Sequence, residues 1–222
     1  MIFYVVTEPE SVYRAKDSWT RVKFMLEKQA RDHCLVLHYA EITRALVAEL
    51  KPWAICHSGG GTDHDSYDVI TRPAYRWLTR QCPVPQIGFC GGHQIIARHF
   101  GGTVAHIRPL GPGDPDLNPE YSPGKFKEWG VFPVRVVKDD PLFKGLPRTL
   151  RMQERHCMEV KTLPPVFDLL ASTADCRVQA FVHRRKPLYG VQFHPESGPE
   201  AYPHGPRLLR NFFAVARAHR PG

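Results

Sequence analysis

Four kinds of segment are missing from this 222-residue sequence. No apolar run is long enough to span a bilayer, and there is neither an internal repeat nor a low-complexity tract. Residues 1–6 lead directly into a strand pattern, without the basic, apolar and small-residue regions of a secretory signal. These absences argue against a membrane protein and predict a cytoplasmic one.

Paired cysteines are missing as well. The six cysteines are scattered along the chain, and none belongs to a C-x-x-C pair. Such spacing argues against a disulfide framework and against a structural zinc site, and it suits a reducing compartment. We therefore predict no bound metal.

Basic residues are in excess but are not concentrated. The formal net charge is +8 and the pI about 9.3, yet the sequence contains no zinc finger, helix-turn-helix or interleaved aromatic and basic residues. The one tight basic cluster, residues 183–186, lies between two strand patterns and is typical of an exposed hairpin turn. We expect a basic surface or, secondly, a patch that docks a partner protein, and no binding of nucleic acid.

Strand and helix patterns alternate through the first hundred residues. Strands are predicted at 2–6, 34–38, 53–57 and 85–89, and helices at 17–32, 41–50, 72–81 and 94–100. This alternation favours a parallel sheet with helices on both faces, whose functional site lies at the carboxyl ends of the strands. The length and the 42% hydrophobic content allow one sizeable core, so a single α/β domain over residues 1–222 is predicted.

The second half of the chain has a different pattern. Residues 109–124 are rich in proline and glycine and predict a long loop, of a kind that often acts as a lid or faces a partner. Beyond it, strands are predicted at 131–137, 150–153, 167–172, 178–183 and 188–193, and a last helix at 205–218. The expected fold is thus a mostly parallel central sheet with a β-rich second half.

The most informative segment is Gly88-Phe89-Cys90-Gly91-Gly92-His93-Gln94. Its pattern places Cys90 on a sharp turn between a strand and a helix, where the neighbouring glycines leave room for a strained backbone. The dipole at a helix N-terminus favours the thiolate over the thiol. Cys90 is therefore predicted to be a nucleophile, and the other five cysteines are predicted to be small buried residues.

A second segment, Gly-Val-Gln-Phe-His-Pro-Glu at 190–196, supplies a candidate base. His194 and Glu196 are two residues apart at a predicted strand end, so their side chains can point the same way. A carboxylate beside an imidazole fixes the tautomer and stabilises the cation. Cys90, His194 and Glu196 thus form a predicted catalytic triad.

Both segments resemble signature blocks of the class I glutamine amidotransferases, a flavodoxin-like α/β family with a Cys-His-Glu triad. Residues 54–61 resemble the family's oxyanion loop, and residues 154–160 resemble a segment that lines its glutamine pocket. The resemblance implies no metal or organic cofactor. It implies oxyanion donors and substrate contacts at these positions: Gly60 and Gly91 for the oxyanion, and Gln94, Arg155, His156 and Cys157 for the substrate. By itself, Gln94 is also compatible with capping or packing in the first turn of a helix, and His156 is about equally compatible with pocket architecture and simple packing.

The function implied is hydrolysis of the glutamine side-chain amide through a cysteinyl thioester, with ammonia passed to a separate synthase protein. A γ-glutamyl peptidase or hydrolase with the same triad remains an alternative. Gly61, Gly91 and Cys157 depart from the family's usual residues and bear on glutamine specificity. A catalytically silent binding or regulatory protein on this fold is a third possibility, against which the intact triad argues.

Overall fold

The computed structural model describes residues 1–198 and 201–219. The strands of these residues are β1 Ile2–Val6, β2 Cys34–His38, β3 Ile55–His57, β4 Gln86–Phe89, β5 Thr103–His106, β6 Glu128–Val136, β7 Thr149–His156, β8 Met158–Thr162, β9 Phe167–Ser172, β10 Ala180–His183 and β11 Leu188–Val191. The α-helices are α1 Glu10–Ala15, α2 Ser18–Ala30, α3 Arg44–Leu50, α4 Pro73–Gln81, α5 Gly91–His99 and α6 His204–Ala218. Short 3-10 helices lie at Tyr39–Glu41 and Pro141–Phe143.

A nine-stranded mixed sheet runs through the molecule in the order β2-β1-β3-β4-β11-β10-β9-β6-β7. The strands from β2 to β11 pair in parallel, and those from β11 to β7 pair antiparallel. Strands β5 and β8 form a separate antiparallel ribbon. The predicted α/β class is confirmed, and the β-rich second half continues the same sheet.

Strand β1 shows why helices cover both faces of the parallel part. All five of its residues are buried, as expected for a central strand without a solvent-facing side. Tyr4 packs in a core cluster that includes Leu26 of α2 and Phe212 of α6. Phe3 points the other way, into a cluster that includes Leu78 of α4. Because successive side chains of a strand point to opposite faces of the sheet, β1 contributes residues to two separate core clusters.

Several predicted boundaries were wrong. Helix α3 begins at Arg44 and not at residue 41, because the Thr43 hydroxyl accepts the Leu46 N–H at 3.0 Å and caps the helix there. Helix α5 begins at Gly91, immediately after Cys90, and not at Gln94. Helix α1 and the ribbon of β5 and β8 were not predicted, since each is short and weakly patterned.

Residues 109–124 form the predicted loop, without a helix or strand of their own. An isolated bridge between Pro109 and Lys125 closes its base. Arg108 pairs with Asp114, and the buried Lys127 ammonium lies 2.6 Å from Asp116. An ion pair thus holds the loop at each end. No helix in the described ranges combines the length and apolar character needed to cross a membrane.

Candidate active site

Cys90 lies on the turn between β4 and α5 with φ 44° and ψ −103°. A positive φ is strained for a residue with a side chain, and such strain is found at functional sites. The close packing behind the turn requires glycine: a methyl at Gly88 would lie 2.6 Å from the Gly92 carbonyl carbon. The turn therefore has the strand-turn-helix geometry that the sequence predicted.

His194 and Glu196 lie beside this turn. The His194 Nδ1 is 2.7 Å from Glu196 Oε1, which leaves Nε2 as the ring nitrogen for the thiol. Cys90 and His194 both lie against Gly59. A methyl group at Gly59 would be 3.4 Å from the Cys90 Cβ and 2.8 Å from the His194 Cε1. The structure thus brings the three predicted triad residues together.

The electrostatics of His194 favour the imidazolium. Burial by itself would lower the pKa of His194, but the negative charges of Glu196 and Cys90, together with hydrogen bonds to both, raise it well above its usual value. A protonated imidazole beside the nucleophile is a ready proton donor for a leaving group.

Two glutamine side chains form a chain of hydrogen bonds to the nucleophile. Gln192 Nε2 donates to the Cys90 Sγ at 3.4 Å. Gln94 Nε2 donates to Gln192 Oε1 at 3.0 Å and to the Met158 carbonyl at 3.2 Å. Gln94 therefore reaches Cys90 through Gln192. Sequence reasoning included Gln192 in the 190–196 block but gave it no role.

The backbone of Gly60 approaches that of Gly91 closely. A methyl at Gly91 would lie 2.8 Å from the Gly60 nitrogen. Among residues 1–198 and 201–219, neither the Gly60 N–H nor the Gly91 N–H donates to a protein acceptor. Two neighbouring donors beside a nucleophile can stabilise an oxyanion.

Two cavities meet at Cys90. The first, here called the inner cavity, has a volume of about 360 Å³. The second, here called the outer cleft, has a volume of about 1010 Å³. Both are lined by Gly60, Gly61, Cys90 and Tyr121. His194 and Glu196 line only the outer cleft, so the base faces that side of the nucleophile.

The four residues expected to contact substrate are divided between these spaces. Gln94, His156 and Cys157 line the inner cavity. Arg155 is exposed and lines the outer cleft, because successive residues of β7 point to opposite faces. The structure therefore brings three of the four together and separates Arg155 from them.

His156 is enclosed by two buried glutamates. Its Nε2 lies 2.9 Å from Glu128 Oε2 and 3.2 Å from Glu154 Oε2. Burial lowers the pKa of His156, but hydrogen bonds and charge interactions with both carboxylates raise it well above its usual value. Burial raises the pKa of Glu154 to about 7. We call these three residues the buried ion cluster, and it lies beneath the inner cavity.

The same region contains three residues of the types that bind metals. Donor atoms of Glu128, His156 and Cys176 lie within 4.8 Å of one another. Glu128 Oε2 already accepts from Gln179 at 2.6 Å, and His156 Nδ1 donates to the Met158 carbonyl at 2.9 Å. These donors are engaged within the protein, which fits an ion cluster better than a vacant metal centre.

Residues of the long loop enter the site, and sequence reasoning missed them. Tyr121 lines both cavities, and in the inner cavity it lines the wall together with Cys157. Ser122 has a positive φ of 48°, and its Oγ accepts a hydrogen bond from the Cys157 Sγ at 3.3 Å. The loop is thus part of the cavity wall. No sequence signal distinguished Tyr121 from the rest of the loop.

A sequence model of the glutamine amidotransferase class-I family matches residues 17–216. The chain belongs to this family. The resemblance predicted from the elbow and the His-Pro-Glu segment is therefore confirmed.

Relatives with a named activity extend this finding. The glutamine-hydrolyzing GMP synthase subunit of Pyrococcus abyssi is 41% identical over 129 residues, which are 58% of this chain and 58% of that protein. The corresponding protein of Saccharolobus solfataricus, which has the same name, is 32% identical over 171 residues, 77% of this chain and 81% of that protein. The match to the Pyrococcus relative therefore spans less than two thirds of its length.

Solved structures agree on the fold. A crystal structure from Thermoplasma acidophilum, of a protein assigned to the same GMP synthase component, superposes with a TM-score of 0.75 at 27% identity, covering 99% of this chain and 96% of that one. A glutamine amidotransferase from Thermotoga maritima gives a TM-score of 0.63 at 18% identity, covering 99% and 94%. The latter likeness concerns the fold alone.

Proposed function

We propose that this chain hydrolyses the side-chain amide of glutamine through a Cys90 thioester and supplies the ammonia to a separate synthase. The observation that carries the proposal is the position of Cys90, with His194 and Glu196 beside it, where the inner cavity meets the outer cleft. Family membership supports the reaction class.

The reaction follows from the parts. The Cys90 sulfur attacks the side-chain carbonyl carbon, and the oxyanion is held by the N–H groups of Gly60 and Gly91. His194 gives its proton to the nitrogen, the C–N bond breaks, and ammonia leaves. His194 then takes a proton from water, whose oxygen displaces the sulfur and releases glutamate. Glu196 orients the imidazole and stabilises its cation throughout.

The two cavities suit the two parts of the substrate. The glutamyl part would occupy the inner cavity, which is small and has polar groups from Gln94 and Ser122 on its wall. The nitrogen would then face the outer cleft, on the side where His194 lies. Ammonia would therefore leave into the outer cleft.

The acceptor is proposed from the relatives, which are named as a glutamine-hydrolyzing component of GMP synthase. We propose that a separate GMP-forming protein receives the ammonia. The rim of the outer cleft supports docking of an acidic protein surface, because Lys16, Arg21, Lys28 and Arg155 are exposed there beside Phe24, which is 60% exposed.

A γ-glutamyl peptide is the second candidate substrate, and the size of the outer cleft favours it, since about 1010 Å³ exceeds the needs of ammonia. The deciding experiment measures glutamate release from glutamine, γ-glutamyl dipeptides and glutathione conjugates. Turnover of glutamine that increases when the synthase is added supports the proposal. Rapid turnover of a γ-glutamyl peptide, with glutamine a poor substrate, would overturn it.

Alkylation should distinguish Cys90 from the other thiols. Burial raises the pKa of Cys34 to about 12 and the pKa values of Cys56 and Cys176 well above the usual range, so these thiols carry little thiolate. Limiting iodoacetamide at pH 7 should therefore modify Cys90 first, and glutaminase activity should fall in parallel. Peptide mass mapping checks this, and modification of Cys34 with activity retained would contradict the assignment.

Substitutions in the long loop should separate its two possible roles. Tyr121 and Ser122 line the inner cavity, whereas Leu117 lies outside both cavities and is 43% exposed. If this part of the loop faces the synthase, Leu117→Asp should abolish the stimulation by the synthase and preserve basal glutaminase activity, because it leaves Asp114 and Asp116, which hold the loop, in place. Tyr121→Ala should instead raise KM for glutamine without the synthase. Identical behaviour of the two variants would contradict this division.

A further inference from the structure

Glu8 is a buried carboxylate. It lies two residues beyond the end of β1 and is 2% exposed. Its Oε1 accepts the Gly61 N–H at 2.7 Å, but its Oε2 has no hydrogen-bond partner among the described residues. No Lys, Arg or His within residues 1–198 and 201–219 forms an ion pair with it. An unpaired buried carboxylate is costly, so a donor from outside the chain would satisfy it.

The position of Glu8 connects it with the nucleophile. A methyl group at Gly60 would be 3.3 Å from the Glu8 Cδ. The neighbouring residue, Gly59, lies against Cys90 and His194. Consecutive Cα atoms are about 3.8 Å apart. The Glu8 carboxyl group and the His194 imidazole therefore flank adjacent residues of one loop, and both line the outer cleft.

The chemistry on this side of the nucleophile identifies the donor. With the glutamyl part in the inner cavity, the group that faces the outer cleft is the carboxamide NH₂, which carries two N–H donors. Resting on the proposed function, we propose that Glu8 contacts the substrate and accepts an N–H from the leaving nitrogen through Oε2. This contact orients the nitrogen lone pair toward His194 and persists as the nitrogen becomes ammonia.

A purely structural role is the competing explanation, because Glu8 also holds the Gly60–Gly61 loop through the Gly61 N–H. The two roles differ in the substrates that they affect. A disordered oxyanion loop would slow every acyl substrate, whereas a lost contact to N–H would slow amides and spare esters, whose leaving oxygen carries no hydrogen.

The test compares glutamine with glutamic acid γ-methyl ester in the Glu8→Gln variant, in the presence of the synthase. Glutamine at position 8 keeps an oxygen for the Gly61 N–H and replaces Oε2 with an NH₂ group that cannot accept. We expect kcat/KM for glutamine to fall about 10- to 100-fold and kcat/KM for the ester to change less than about twofold. The matched control is Glu10→Gln, because Glu10 is exposed on α1 and pairs with Arg14; both substrates should be unaffected.

Each outcome decides the question. An equal loss on both substrates, or no loss on either, would overturn the role of Glu8 and leave the glutaminase proposal intact. A wild-type protein that hydrolyses neither substrate would overturn the proposed function, and the role of Glu8 with it. Ester turnover also reports a folded site; if Glu8→Gln does not fold, Glu8→Asp, which keeps the charge but retracts it, should show the same selective loss on glutamine.

Discussion

Replacing His194 with alanine should lower kcat for glutamine by at least about 10³-fold, because the variant loses both the general acid and the general base. Glu196→Gln should cost less, since Glu196 holds the imidazole and does not itself exchange the proton. Because the Glu196 charge raises the pKa of His194, its removal should also shift the alkaline limb of the kcat/KM profile to lower pH. Steady-state glutamate release across pH 5–10 measures both effects.

The neighbouring histidines are poor substitutes for His194. His93 packs against Phe181, with ring centroids 4.7 Å apart, and burial lowers its pKa to about 3. His156 is held between Glu128 and Glu154. The matched control is His33→Ala, a histidine outside both cavities, which should keep full activity. Full activity in His194→Ala would show that a different residue is the base.

The sequence predicted best what is encoded locally. Strands β1 and β2 were predicted with their observed bounds, because each is a short run of mostly apolar residues. The elbow could be identified because Gly88, Cys90 and Gly92 lie close together in one turn whose packing requires glycine. The pairing of His194 with Glu196 is likewise contained within three residues.

What escaped prediction depends on contacts between distant segments. Glu8 reaches Gly61 across more than fifty residues, and Ser122 of the long loop meets Cys157, which lies 35 residues further along the chain. Arg155 and His156 line different cavities, and this could not be predicted without knowing how β7 is oriented relative to the two cavities. A motif gives the order of residues along the chain, but not which face of the sheet borders which space.

The buried ion cluster is the clearest case of this limit. Glu128, Glu154 and His156 lie on β6 and β7, and Gln179 joins them from beyond β9. Glu128 and Glu154 would look like ordinary surface polar residues in their own strand patterns. Only the antiparallel register, in which Glu128 lies opposite His156, brings the charges together. The cluster supports the floor of the inner cavity, since His156 and Met158 line that cavity.

His156→Gln should therefore destabilise the protein by about 3–5 kcal/mol at pH 7, because it leaves the buried Glu128 carboxylate, and Glu154 in its ionised form, without their cation. Urea unfolding followed by circular dichroism measures this loss. The matched control is His57→Gln, a fully buried histidine that hydrogen-bonds Gln86 and Tyr75 and forms no ion pair with a carboxylate of residues 1–198 or 201–219; its pKa is lowered to about 4 by burial. The control should cost only about 1–3 kcal/mol, as expected for the loss of neutral hydrogen bonds.

The pH dependence of Glu154→Gln should then show that charge is the cause. Burial raises the pKa of Glu154 from 4.5 to about 7, so between these values the folded protein holds a proton that the unfolded chain has released. That contribution to stability is complete below pH 4.5 and is lost as the pH rises through about 7. The Glu154→Gln variant lacks this titration. Its free energy of unfolding should therefore rise relative to that of the wild type between about pH 4.5 and about pH 7. A difference in the free energy of unfolding that stays constant from about pH 4.5 to about pH 8 would contradict this prediction. It would show that Glu154 has the same pKa in the folded protein as in the unfolded chain, and that its ionisation does not affect the stability of the cluster.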